Sequence, residues 1–237
     1  MKVMNKYGYG SLDNICDGID WAVEQGVDII SLSISGHKTS QRLNWSIHTA
    51  IAKGVCIISS AGNEGGFAGQ ENGFPGGFGS VIAIGAHNRD GKVCDFSSSG
   101  SHVAMLCPGT GVWSTDIGGG YACKSGSSAA APFAAGMALL IIARHKLDPA
   151  GKTPILNNQD LLAHMLRMTS HHGFYKMGEG HGLLMPLRYA DTSIVMVKDS
   201  TITITMVKDS TITDRRHVVI DGVGYTIFYY NTFQTAA

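Results

Sequence analysis

Apolar residues along the first part of the chain switch between two spacings. Over residues 11–25 they recur every three or four positions, which predicts an amphipathic helix, and over 27–34 a run rich in β-branched residues predicts a strand. The alternation continues, with predicted helices over 44–53, 127–144 and 158–169 and predicted strands over 55–60 and 81–85. Because helices of this length between strands act as crossovers, we predict a mainly parallel sheet with helices on both faces, a three-layer α/β fold.

The pattern changes from residue 191. The octapeptide MVKDSTIT occurs at 196–203 and again at 206–213, and apolar runs at 218–220 and 225–230 lie on either side of an Asp-Gly turn signal. Two copies are too few for a solenoid, which usually needs three or more. We therefore expect a first domain over 1–190 and a small antiparallel β appendage over 191–237.

Composition and charge narrow the possible partners. The 237 residues include 18 Lys+Arg and 18 Asp+Glu, so the formal net charge is zero and gives no basis for binding nucleic acid or an anionic membrane. No apolar run reaches the roughly 20 residues of a membrane span. The nearest approach, 129–143, contains Pro132 and Gly136 and is expected to be a buried helix. No secretory signal is visible in the first ten residues, which leaves the compartment open.

The five cysteines are widely spaced and form no CxxC pair. We therefore expect isolated, mostly buried thiols rather than a disulfide framework. Neither a DxDxDG loop nor an HExxH motif occurs in the sequence, so we expect no metal and no cofactor.

Two segments that follow predicted strands are candidates for ligand binding. Ligands of parallel sheets bind beyond the carboxyl ends of the strands, where this chain has SISG at 33–36 and AGNEG at 61–65. Eight of the eighteen residues over 62–79 are glycine, so the backbone there can approach a ligand closely. A phosphate-binding loop is excluded, since no Lys-Ser or Lys-Thr pair follows the glycines and no helix opens directly after them.

A helix of small residues begins near Ser127 or Ser128, within GSSAAAPFAAG at 126–136. A hydroxyl at this place lies near free backbone N–H groups at the positive end of the helix dipole, which can hold a developing oxyanion. Taken alone, such a serine is more often a helix N-cap.

The ordered blocks around this serine resemble the subtilisin-like serine proteases (subtilases, peptidase family S8). The serine block of that family usually reads GTSxAxPHVAG, and Ser128 stands at its nucleophile position. AGNEG at 61–65 is similar to the block of the oxyanion asparagine, and SISG at 33–36 to the substrate strand, usually SLGG. The segment at 180–184 resembles the closing GxGLxN. The resemblance covers about residues 1–190.

The resemblance implies a serine endopeptidase. Ser128 Oγ would attack the scissile carbonyl, and the side-chain amide of Asn63 would donate a hydrogen bond to the oxyanion. The backbone of Ser33, Ile34, Ser35 and Gly36 would pair with an extended peptide or protein substrate. Ser60, Ala61 and Gly62 would wall the pocket for the residue before the cleaved bond.

Two blocks of the family do not occur in this sequence: the aspartate block and the histidine block, GHGTxVAG. The first four residues, MKVM, resemble the strand after the histidine helix, usually VKVL. We therefore expect the chain to begin part-way through the catalytic domain, so that a missing N-terminal segment or a second chain supplies Asp and His. Alone, the chain is expected to be inactive or very weak, because a serine without a base is a poor nucleophile.

Several residues depart from the family pattern. Ser35 stands where the family has glycine, which is expected to narrow that subsite, and Phe133 replaces a helix histidine. The sequence contains ten histidines, and the candidates for a substitute base are His37, His102, His171, His172 and His181. We expect each of them to be structural.

Two alternatives stay open at this point. The first is a noncatalytic pseudoprotease that retains a peptide-binding cleft. The second, a lipase or esterase of α/β-hydrolase type, is disfavoured because Ser128 lacks the GxSxG elbow. Members of the family are often secreted and often bind calcium, but the segment with the main calcium loop is largely absent, so the expectation of no metal stands.

Overall fold

A computed structural model describes residues 2–5, 7–65, 73–147, 155–171, 176 and 178–185, and the backbone of four short strands near the C-terminus. Contacts divide the chain into two units, Met1–Pro186 and Leu187–Ala237. Most of the second unit lies outside the described residues, so the division expected at residue 190 stays a prediction.

Four parallel strands form the sheet of the first unit. Their order is β1 (Ile29–Leu32), β2 (Cys56–Ser60), β3 (Ile82–His87) and β4 (Val103–Pro108). The helices are α1 (Leu12–Glu24), α2 (Gln41–Ala52), α3 (Ser127–Leu147) and α4 (Asn158–Leu166). An antiparallel hairpin of β5 (Val112–Thr115) and β6 (Tyr121–Lys124) connects β4 to α3. The predicted parallel sheet with its helices is confirmed.

Serine caps determine where the first two helices begin. The Ser11 hydroxyl accepts a hydrogen bond from Asn14 N–H, and the Ser40 hydroxyl accepts one from Leu43 N–H. Helix α2 therefore begins three residues before the predicted start. Strand β1 is shorter than the predicted 27–34, and residues 2–4, which resemble a strand of the family, are not in one here.

The main hydrophobic core joins α1 and α2 to the first two strands. Its buried members are Ile15, Cys16, Ile19, Ile30, Leu32, Leu43, Ile47, Ala50, Val55, Ile57 and Val81. Helix α3 packs across all four strands, with Ala130, Ala134 and Ala138 fully buried. Close-packed alanines bring the helix near the sheet, and this packing fixes where α3 begins relative to β1 and β2.

One helix of the described part, α3, is long and apolar enough to cross a membrane by length and composition alone. Its contacts with all four strands explain the same composition, since a core helix is also apolar. The helix predicted at 129–143 is present, but it is buried on one face only, and Pro132, Phe133, Gly136 and Leu139 are exposed.

The second unit contains two antiparallel pairs. Strand β7 (Val195–Met196) pairs with β8 (Thr203–Ile204), and β9 (Arg216–Ile220) pairs with β10 (Val223–Ile227). The predicted antiparallel character of the tail is confirmed. The second MVKDSTIT copy lies outside the described residues.

Candidate active site

The candidate site lies where β1 and β2 end, beside the start of α3. Residues 33–36 follow β1, and Ala61, Gly62 and Asn63 follow β2. Because β1 and β2 are parallel neighbours, their carboxyl ends meet at one edge of the sheet. The structure thus brings the predicted nucleophile, oxyanion donor and substrate strand together.

Ser128 lies in the first turn of α3 and is half-buried. Its hydroxyl donates to the Ser33 carbonyl at 3.4 Å, and the Ser33 hydroxyl donates to the Ser128 carbonyl at 2.7 Å. No histidine in the described part of the chain hydrogen-bonds to Ser128 Oγ. The N–H of Ser128 belongs to the first helical turn, where the helix supplies no acceptor, and is available to an oxyanion.

Ser127 orients the side chain of Asn63. Asn63 Oδ1 accepts from the Ser127 N–H at 2.8 Å and from the Ser127 hydroxyl at 3.0 Å. The same hydroxyl accepts from Gly62 N–H at 3.2 Å, and Ser127 is fully buried. With Oδ1 engaged twice, the Nδ2 end of the amide is the end that is left to donate to a ligand. The sequence indicated Ser127 only as a possible first residue of the helix. Its role in holding Asn63 was not predicted, because the one signal was a small hydroxyl residue next to the nucleophile position.

Two glycines permit this close arrangement. Gly62 has a φ of +114° and Gly126 a φ of +148°, conformations that L side chains rarely adopt. A Cβ at residue 126 would also lie 3.4 Å from Asn63 Nδ2 and 3.7 Å from Ser128 N. An alanine at either position would therefore strain the backbone directly at the site.

The predicted substrate strand is anchored by its neighbours. The backbone N–H and C=O of Gly36 bond to Phe74 at 3.0 and 2.8 Å, and the Ser60 hydroxyl donates to the Ile34 carbonyl at 3.1 Å. Gly36 is thus already paired. The Ser33 carbonyl accepts from the Ser128 hydroxyl, and the backbone of Ser35 has no backbone hydrogen bond among the described residues. Ala61 is fully buried behind the segment.

The Ser35 side chain points inward beside Gly62 and Gly73. Its hydroxyl is buried and has no hydrogen-bond partner among the described residues. A Cβ on Gly62 would lie 3.0 Å from it, and one on Gly73 would collide with it. The neighbouring wall contains Glu64, whose Oε2 accepts from the Ser98 hydroxyl at 2.7 Å.

The histidines named as candidate bases differ in their surroundings. His37 is exposed, and His171 Nε2 lies 3.1 Å from Glu179 Oε2. Burial lowers the pKa of His102. His172 lies outside the described residues.

The cysteines are free thiols. Four of the five free cysteines are buried, as predicted. Burial raises the pKa of Cys56 to about 11 and that of Cys107 to about 12, so both are neutral thiols and poor nucleophiles at pH 7. The described residues include no group of three or more His, Cys, Asp or Glu that could hold a metal ion.

The family model of the subtilase family, peptidase S8, matches residues 1–183. The chain belongs to the subtilase family. An intracellular serine protease of Paenibacillus polymyxa is 38% identical over 186 residues, which cover 78% of this chain and 56% of that protein. Subtilisin DY of Bacillus licheniformis is 36% identical over 146 residues, 61% of this chain and 53% of the relative.

Solved subtilases share the fold. Sphericase superposes with a TM-score of 0.63 at 26% identity, covering 78% of this chain and 66% of that chain. The prenylagaramide maturation protease PagA superposes with a TM-score of 0.67 at 23% identity, covering 77% and 68%. The subtilase chain described here thus spans little more than half the length of the curated relatives named above.

Proposed function

We propose that this chain contains the nucleophile and oxyanion site of a serine endopeptidase. The observation that supports it is the geometry at the start of α3: the Ser128 hydroxyl donates to the Ser33 carbonyl, and Ser127, the residue before it, holds the Asn63 amide by two hydrogen bonds. Oγ would attack the scissile carbonyl, while Asn63 Nδ2 and Ser128 N–H would bind the oxyanion. Ser33 and Ser35 would pair with the extended substrate, and Ala61 and Gly62 would border the pocket.

The general base would come from another segment or another chain. Among the described residues, Ser128 Oγ donates to a backbone carbonyl rather than to a base. Helix α3 also exposes Pro132, Phe133, Gly136 and Leu139 on one side, an apolar surface next to the nucleophile. A polypeptide with an aspartate block and a GHGTxVAG block would supply the missing groups and cover this side.

A fluorophosphonate probe tests the nucleophile directly. Ser128 Oγ forms a bond to phosphorus, fluoride leaves, and the hydroxyl proton passes to added imidazole, which acts as the base. We expect slow labelling without imidazole and faster labelling as its concentration rises, located at residue 128 by peptide mapping. Ser128→Ala should abolish labelling, and Ser114→Ala, at an exposed position on β5, should not change it.

The same probe distinguishes a protease from a noncatalytic peptide-binding protein. If Ser128 stays unlabelled in the presence of imidazole while extended peptides still bind, the chain is a noncatalytic peptide-binding protein. The observation that favours this alternative is that no base lies beside Ser128 among the described residues. If a polypeptide with the aspartate and GHGTxVAG blocks makes labelling independent of imidazole, the chain functions as part of a complete protease.

A further inference from the structure

Helix α3 contains a proline in its second turn. In an α-helix the N–H of residue i+4 donates to the carbonyl of residue i. Pro132 is four residues after Ser128 and has no N–H, so the Ser128 carbonyl lacks the donor that the helix would otherwise supply. The carbonyl affected belongs to the candidate nucleophile itself.

The side chain of Ser33 supplies a replacement. Its hydroxyl donates to the Ser128 carbonyl at 2.7 Å, and the Ser128 hydroxyl donates back to the Ser33 carbonyl at 3.4 Å. The first bond holds the peptide group that follows Ser128, and the second directs the Ser128 hydroxyl. The two bonds tie the first turn of α3 to the residue that follows β1.

We propose that Ser33 is a positioning residue for Ser128, because its hydroxyl replaces the hydrogen bond that Pro132 removes from α3. The proposal rests on the function proposed above and adds a role for a side chain beyond the backbone pairing of the substrate strand. The Ser33 hydroxyl acts through Ser128 and contacts no reacting atom. Small displacements of a nucleophile are costly, since reacting atoms must lie in a near-attack geometry.

A double-mutant cycle with Ser33→Ala and Pro132→Ala tests the proposal. Pro132 is exposed, and alanine there restores the N–H and favours the helix. In the parent background, Ser33→Ala should lower the saturating rate of imidazole-assisted labelling about tenfold, the effect of one hydrogen bond. The probe concentration for half-maximal rate should not change, because the backbone of residue 33 is kept. In the Pro132→Ala background the same change should alter the rate by no more than about twofold.

Two further variants control for structural damage. Ser33→Thr keeps a hydroxyl and should retain a rate within about threefold of the parent. Ser31→Ala, at an exposed position in β1, should leave the rate unchanged. Circular dichroism and the urea midpoint of each variant show whether it is folded.

The possible results are distinct. Loss of labelling by Ser33→Ala with rescue by threonine and by Pro132→Ala supports the proposal. An unchanged rate in Ser33→Ala, or an equal loss in both backgrounds, overturns it while the nucleophile assignment stands. A parent chain that imidazole does not render reactive at residue 128 refutes the nucleophile assignment, and with it the positioning role.

Discussion

Replacing the buried Asn158 with alanine should destabilise the fold far more than an ordinary polar substitution. Asn158 Oδ1 accepts from Ile57 N–H at 2.7 Å, and its Nδ2 donates to the carbonyls of Ile57 and Ser80 at 2.9 and 2.7 Å. In β2 the Cys56 N–H donates to the Asp28 carbonyl on the β1 side, so the backbone N–H and C=O of the next residue, Ile57, face β3. Pairing between β2 and β3 begins only at Ile58. The Asn158 amide therefore supplies hydrogen-bond partners for the Ile57 N–H and C=O, which β3 does not reach.

The expected cost follows from these three bonds. At about 1 kcal/mol net for each hydrogen bond, Asn158→Ala loses about 3 kcal/mol, and the buried groups left unpaired add to this. That corresponds to about a hundredfold in the equilibrium constant of unfolding. Urea unfolding followed by circular dichroism should show a lower midpoint with an unchanged slope.

The adjacent asparagine provides a matched control. Asn157 caps α4, with Oδ1 accepting from the N–H groups of Gln159 and Asp160, and its replacement by alanine should cost only about 1 kcal/mol. If Asn158→Ala costs no more than Asn157→Ala, the assignment of Asn158 as the partner of the β2 edge is wrong.

Two more predictions concern the site and pH. Ser127→Ala should slow labelling of Ser128, because Asn63 Oδ1 loses one hydrogen bond and the Gly62 N–H loses its acceptor. Ser127→Thr keeps the hydroxyl and should keep most of the labelling rate. Equal rates in the two variants would contradict the proposed role of the Ser127 hydroxyl. Burial lowers the pKa of His87 and His102 below the ordinary 6.5, so the unfolded chain binds protons first as the pH falls, and the free energy of unfolding should decrease below about pH 6.5. The urea midpoint should change less between pH 7.5 and pH 5.5 in the double variant with glutamine at residues 87 and 102 than in the parent chain. An equal change in both proteins would contradict the role of these two histidines.

The helices and strands that could be predicted from the sequence were those with regularly spaced apolar residues. The helix and strand spacing over residues 11–60 predicted α1, α2, β1 and β2, since amphipathic faces must be buried. Strand β4 and the hairpin of β5 and β6 were not predicted as strands. The hairpin side chains are largely exposed, so no apolar alternation marks them.

The site was predictable only as far as residue types and block order allowed. Ser128 and Asn63 were identified because the segments around them resemble blocks of the family. That the segments after β1 and β2 lie close together follows from the parallel sheet, because the carboxyl ends of parallel strands meet at one edge. The hydroxyls of Ser33 and Ser127 act through tertiary hydrogen bonds that leave no periodic pattern in the sequence. Asn158 was included only as the first residue of a helix, because its partners lie on a distant strand.

The hydrogen bonds that build the site and hold the edge of β2 join positions far apart along the chain. Ser33 and Ser128 are 95 residues apart, Asn63 and Ser127 are 64 apart, and Ile57 and Asn158 are 101 apart. Such non-local contacts are slow to form, since large loops must close before the contacts contribute any stability. Reactivity at Ser128 should consequently appear late during refolding, after most helical signal has returned.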